Sequence, residues 1–126
     1  MQKYEKEAVS VNGKRFTALI ADSTIKKMIG LMFRSTLDSN TCMLFIFGGE
    51  GFPPIWMRNM SFPIDVIWVN EKLKVVDMVE NMVPCTSLLG CKEYYPTQKA
   101  KYVLEFTKGT IKRIRIKKGS RISFIS

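Results

Sequence analysis

Asp65-Val-Ile-Trp-Val69 and Leu73-Lys-Val-Val-Asp-Met-Val79, joined by the polar turn Asn70-Glu-Lys72, decide the fold class. Alternation along a strand sends Val66 and Trp68 to one face and Asp65, Ile67 and Val69 to the other, so neither face of the first strand is wholly polar. A strand apolar on both faces belongs inside a barrel or sandwich. Upstream, Ala8-Val-Ser-Val11 and Arg15-Phe-Thr-Ala-Leu-Ile20 flank Asn12-Gly13, which supplies the positive φ angles of a two-residue type I′ hairpin turn. Cys42–Phe47, Ile55–Arg58, Ala100–Phe106 and Arg121–Ile125 read as further short strands. Ile111, Ile114 and Ile116 change spacing from three to two, as one helical turn giving way to a strand does. Asp22 or Ser23 can cap one amphipathic helix, about residues 23–32, whose Ile25, Met28, Ile29 and Met32 stripe is expected on the core. Gly30 within it allows close backbone packing. Gly48-Gly-Glu-Gly-Phe-Pro-Pro54 reads as a loop closed to ladder pairing, and residues 84–97 read as irregular. The expectation is an α+β, mainly β fold: a compact small barrel or sandwich-like domain of about seven or eight short strands with one amphipathic helix.

At 126 residues the chain is expected to form a single domain over residues 1–126. Hydrophobic residues at 46% and charged residues at 25% are globular averages, which argues against disorder. The absence of histidine removes Ser-His-Asp and Cys-His catalysis and histidine-ligated metals. Three cysteines without histidine do not complete an ordinary four-ligand zinc site, so no metal or cofactor is expected. Cys42 lies in an apolar run, whereas Cys85 and Cys91 stand six apart across a loop and can bridge in an oxidising compartment. Met1-Gln-Lys-Tyr-Glu-Lys-Glu7 lacks the apolar stretch of a signal peptide, and the run Met43–Phe47 is too short to cross a bilayer. The default expectation is a cytoplasmic protein with reduced thiols and no membrane partner.

Charge is uneven. Residues 1–91 hold 10 basic and 9 acidic side chains, whereas residues 92–126 hold 10 basic and 2 acidic. Such a gradient attracts nucleic acid or an acidic partner, or simply forms a solvated face. The unusual side chains concentrate between Gly30 and Asp65. Strand alternation places Trp56 and Arg58 on one face, Met57 and Asn59 on the other. A cis Phe62–Pro63 bond would aim Asp65 sharply. Arg34 and Asp65 either grip a carboxylate, phosphate or sugar hydroxyl together or form an internal salt bridge. Asp65 as a general base needs burial to raise its pKa, with Asp77 and Glu80 on the partner strand as approaching carboxylates. Cys85 as a nucleophile lacks a histidine base. No catalytic residue is assigned; Arg34, Trp56, Arg58, Asn59 and Asp65 are the candidate ligand-binding residues.

Gly30-Leu-Met-Phe-Arg34, Met43-Leu-Phe-Ile-Phe47 and Trp56-Met-Arg-Asn59 before Pro63-Ile-Asp65 resemble domain of unknown function 192, also called uncharacterised protein family 127. Val83-Pro-Cys85, Ala100-Lys-Tyr102, Glu105 and Ile116-Lys-Lys-Gly119 look like the same pattern. The resemblance runs from about Phe16 to Phe124. It implies one compact, mainly β domain with a short helix and assigns no reaction. Cys42 and Ser120 stand where that pattern usually has Gly and Asp.

Three functions follow as expectations. The leading one is a binding module whose pocket, lined by the loop 48–54 and the five candidate residues, takes a small polar or anionic ligand, a sugar included. The second is binding of nucleic acid or an acidic partner through the basic C-terminal third. The third, and least favoured, is a hydrolase or transferase using Asp65 with Arg34 as an anion clamp.

Overall fold

Asn12 and Gly13 take φ angles of 50° and 85° and close the first hairpin, between β1 (Lys6–Val11) and β2 (Lys14–Ala21), as the Asn-Gly pair requires. The computed structural model describes residues 3–125; residues 1, 2 and 126, the ends of the expected domain, lie outside the described residues. The chain continues through α1 (Thr24–Ile29), β3 (Thr41–Gly51), β4 (Ile55–Trp56), β5 (Ile64–Val69), β6 (Val75–Met82), β7 (Glu93–Tyr94), β8 (Ala100–Thr107), α2 (Thr110–Arg113) and β9 (Ile122–Phe124).

Seven strands form one sheet in the order β6-β5-β8-β3-β2-β1-β9, curled into a half-barrel, and β4 pairs with β7 in a second, two-stranded sheet. Every pairing between strands is antiparallel except β2 with β3. A parallel neighbour demands a crossover, which residues 22–40 supply, α1 among them. The curl brings the two edges together at one end. The Val75 N–H donates to the Ser120 carbonyl at 2.8 Å, and the Ile122 N–H to Leu73 at 2.9 Å, so the first residues of β6 bond the segment leading into β9.

Both faces of the sheet are covered. On one, Phe16, Leu44, Leu104 and Phe106 pack against Ile111 and Ile114 of the α2 turn; Phe16 meets Phe106 edge-on, ring centroids 5.0 Å apart. On the other, Met43, Phe45, Val66 and Trp68 pack beneath Leu31 and Leu37 of the crossover. All six residues of β5 are buried, the outcome its two-faced apolar pattern predicts.

Several expectations need correction. The mainly β class holds as expected, but the described residues form nine strands, two of them only two residues long, where seven or eight were expected, and two short helices where one was. α1 buries none of its residues; Ile25 and Met28 are exposed, and the apolar anchors are Leu31 and Leu37, beyond the helix end. Gly30 ends it at φ 50°, where a Cβ would stand 3.1 Å from the Phe45 ring, so the helix stops where the chain presses closest to the sheet. The glycine run does join the ladder. The register passes from Ile46↔Tyr102 to Gly51↔Ala100, so β3 bulges outward between these pairs, a distortion side-chain-free residues tolerate. Among the described residues no peptide bond is cis, Phe62–Pro63 included. Cys85 and Cys91 are disulfide-bonded, so reduced thiols are not the state of this pair. No helix among the described residues is long and apolar enough to cross a membrane.

Candidate functional site

Asp65 is the second residue of β5, on the face turned to α2, and is wholly buried. Its Oδ1 accepts the Asn81 N–H and its Oδ2 the Ile111 N–H, both at 2.9 Å. The carboxyl thus ties β6 and the first turn of α2 to β5, and Arg34 is not its partner. Asp77 is occupied elsewhere, its Oδ2 accepting the Thr97 N–H at 2.8 Å and the Thr97 hydroxyl at 3.0 Å. Arg34 lies on the crossover with its guanidinium 5.7 Å from the Tyr4 ring centroid, in a hollow of about 370 Å³ shared with Lys6, Thr17 and Asp38. The expected pocket uniting Arg34, Trp56 and Asp65 is not formed, because Asp65 is spent on backbone amides.

Trp56 and Arg58 do share a face, as alternation requires: the guanidinium stacks 5.5 Å from the indole. Asn59 takes φ 59°, its carbonyl accepts the Phe33 N–H at 3.1 Å, and its amide reaches the Met32 sulfur at 4.0 Å. It fastens the crossover to the segment after β4. Cys85 has no free thiol. Cys42 has one, but burial pushes it up to about 12, which leaves it inert.

Of the five candidates Trp56 lines a groove of about 570 Å³ between the crossover and the β4 segment, whereas Arg34 lines an adjoining hollow of about 560 Å³ that shares Ile29, Gly30 and Met32 with it. Phe47, Trp56, Met28 and Met32 line it, together with the buried Met60 and Glu105. Glu105 occupies the middle of β8, opposite Met43 of β3 and Val66 of β5, and its Oε1 lies beneath Gly30. It is 4% exposed, and it accepts no hydrogen bond from a described residue. Among the described residues no buried side-chain polar atom is both sealed and unpartnered, so these oxygens look into the groove. Burial alone pushes the Glu105 carboxyl up to about 8. Sequence reasoning passed over Glu105 as a site residue. Its signal was an acid inside the apolar run Val103-Leu-Glu-Phe106, where a carboxyl is buried at a cost unless something answers it.

The groove sets aromatic and thioether side chains around one buried acid, which burial keeps protonated at neutral pH. The family model of domain of unknown function 192, described as uncharacterised ACR, matches residues 7–124. An uncharacterised protein family 127 member of Pyrococcus furiosus is 30% identical over 115 residues, 87% of this chain and 88% of the relative. One of Thermococcus gammatolerans is 31% identical over 107 residues, 83% of this chain and 64% of the relative. Among solved structures, a Sinorhizobium meliloti protein described as a candidate transcription regulator superposes with TM-score 0.90 at 27% identity, covering 98% of this chain and 97% of that one. A Novosphingobium aromaticivorans protein of unknown function gives TM-score 0.85, also at 27% identity, over 94% and 84%.

Proposed function

The chain belongs to the uncharacterised family of domain of unknown function 192, and from that premise we propose that it is a small-molecule binding module whose site is the groove between the crossover and β4. One observation carries the reading: the Glu105 carboxyl is buried, unpartnered among the described residues and turned into a hollow walled by Trp56, Phe47 and methionines. A buried acid held without a partner costs stability, and a ligand that supplies a hydrogen-bond donor removes that cost. The small polar ligand expected from the sequence fits when it carries such a donor beside an apolar face, as a sugar does. An anion fits poorly, since neither groove acid, Glu93 or Glu105, supplies it a counter-charge. Titration with 3,3-dimethylbutan-1-ol, followed by two-dimensional amide NMR, tests this. Shifts confined to the Gly30 and Phe47 amides and the Trp56 indole are expected, with Kd of about 1 mM for so few atoms. Trp56→Ala weakens binding about tenfold. Shifts scattered over the surface, or none, defeat the reading.

A second reading has its own support. Lys108, Lys112, Arg113, Arg115, Lys117, Lys118 and Arg121 are all exposed with no acidic residue among them, and a close structural neighbour is described as a candidate transcription regulator. If this stretch grips phosphates through about four contacts, duplex DNA affinity falls about 100-fold between 50 and 200 mM salt. Filter binding at those two concentrations checks it, and a salt-independent signal or no retention discards it.

A further inference from the structure

The groove already shows how it treats an alkylammonium. Lys27, from α1, reaches over Phe47 with its Nζ 4.6 Å from the ring centroid and donates to the Ile46 carbonyl at 2.9 Å. Trp56 likewise carries a guanidinium. Aromatic faces attract cations through the negative charge above the ring, most strongly where water is excluded. Beside these faces stand two carboxyls, Glu105 in the depth and Glu93, which pairs across from Trp56. Among the described residues Lys27 is the one basic side chain lining the groove, and its ammonium is engaged by the Ile46 carbonyl.

On the reading that the groove is a small-molecule site, we propose that its ligand class is an alkylammonium cation, held by the Glu105 carboxylate and the faces of Trp56 and Phe47, with its methyl or methylene groups against Met28, Met32 and Met60. The size agrees: about 570 Å³ lies within the range of sites that enclose small ligands. The chemistry agrees as well. A quaternary or amine head brings the counter-charge that a desolvated carboxyl lacks, so Glu105 gives up its proton to solvent as the cation enters. Met28 and Met32 offer flexible, polarisable walls that mould to a methylated head group. Met28 is exposed on the groove's lining.

Choline and 3,3-dimethylbutan-1-ol have the same shape and differ in charge, so they separate this inference from the reading it rests on. Choline is expected to shift the Gly30 amide and the Trp56 indole with a Kd about tenfold lower than the alcohol's. Glu105→Gln should bring the two within about twofold, because it keeps the shape and removes the charge. Calorimetry in two buffers of different ionisation enthalpy should register proton release with choline and none with the alcohol. If the alcohol binds the groove as tightly as choline, the cation assignment is wrong and the small-molecule site stands. If neither shifts the groove resonances, the site itself is wrong and this inference falls with it. A choline preference that Glu105→Gln leaves intact overturns the role given to Glu105.

Discussion

Asp65→Asn is expected to destabilise the protein by about 3–5 kcal/mol. Both carboxylate oxygens accept buried or half-buried backbone N–H groups, from Asn81 and Ile111, each at 2.9 Å. An amide has one oxygen to offer, so its NH2 must face one of these donors, and a hydrogen bond becomes a repulsion in a site closed to water. Charge-assisted bonds of this kind are about twice as strong as neutral ones, and their loss leaves the partner without an acceptor. Urea denaturation reads the result as a lower midpoint at an unchanged slope. A variant with the wild-type midpoint would show that the carboxyl holds nothing. The same experiment addresses the hydrolase reading, which requires Asp65→Asn to spare the fold and strike only turnover.

Glu105→Gln is expected to act in the opposite direction and only at higher pH. Burial raises the Glu105 carboxyl to about 8, against 4.5 for an unburied glutamate. The folded state therefore favours the protonated acid. Its contribution to stability is complete below about pH 4.5, falls as pH rises, and is lost once pH passes about 8. At about 1.4 kcal/mol per pKa unit this amounts to several kcal/mol. Glutamine keeps the neutral outline and has nothing to ionise. Thermal unfolding from pH 5 to 8.5 should show the wild type declining and the variant declining less, with the variant ahead at the alkaline end. Lys27 and Glu93, the other charged groups lining the groove, are common to both proteins. Parallel curves would mean that Glu105 ionises as freely folded as unfolded.

The two carboxyls explain what the sequence made legible and what it hid. The doubly apolar strand Asp65–Val69, the Asn-Gly hairpin and the helical turn at Ile111 are local patterns, and local patterns survive into the fold. The parallel pairing of β2 with β3 left no trace, because register between distant strands is a property of the whole sheet. α1 misled because its apolar spacing answers to the groove beside it and not to the core. At the site, Trp56 and Arg58 were placed together correctly by alternation alone. Asp65 drew attention for following a proline, a cue to loop geometry that says nothing of backbone partners. Glu105 entered only as part of the family pattern, since its burial comes from β3 and β5 flanking β8, strands distant from it in the chain.

The crossover that lets β2 run beside β3 is also one wall of the groove. Its helix commits no side chain to the interior, and the buried Leu31 and Leu37 anchor it from beyond. Residues 24, 25 and 28 are therefore free to change without disturbing the framework beneath, as the binding loops of antibodies vary on a constant scaffold. Diversification of what this architecture recognises has a ready location, insulated from folding.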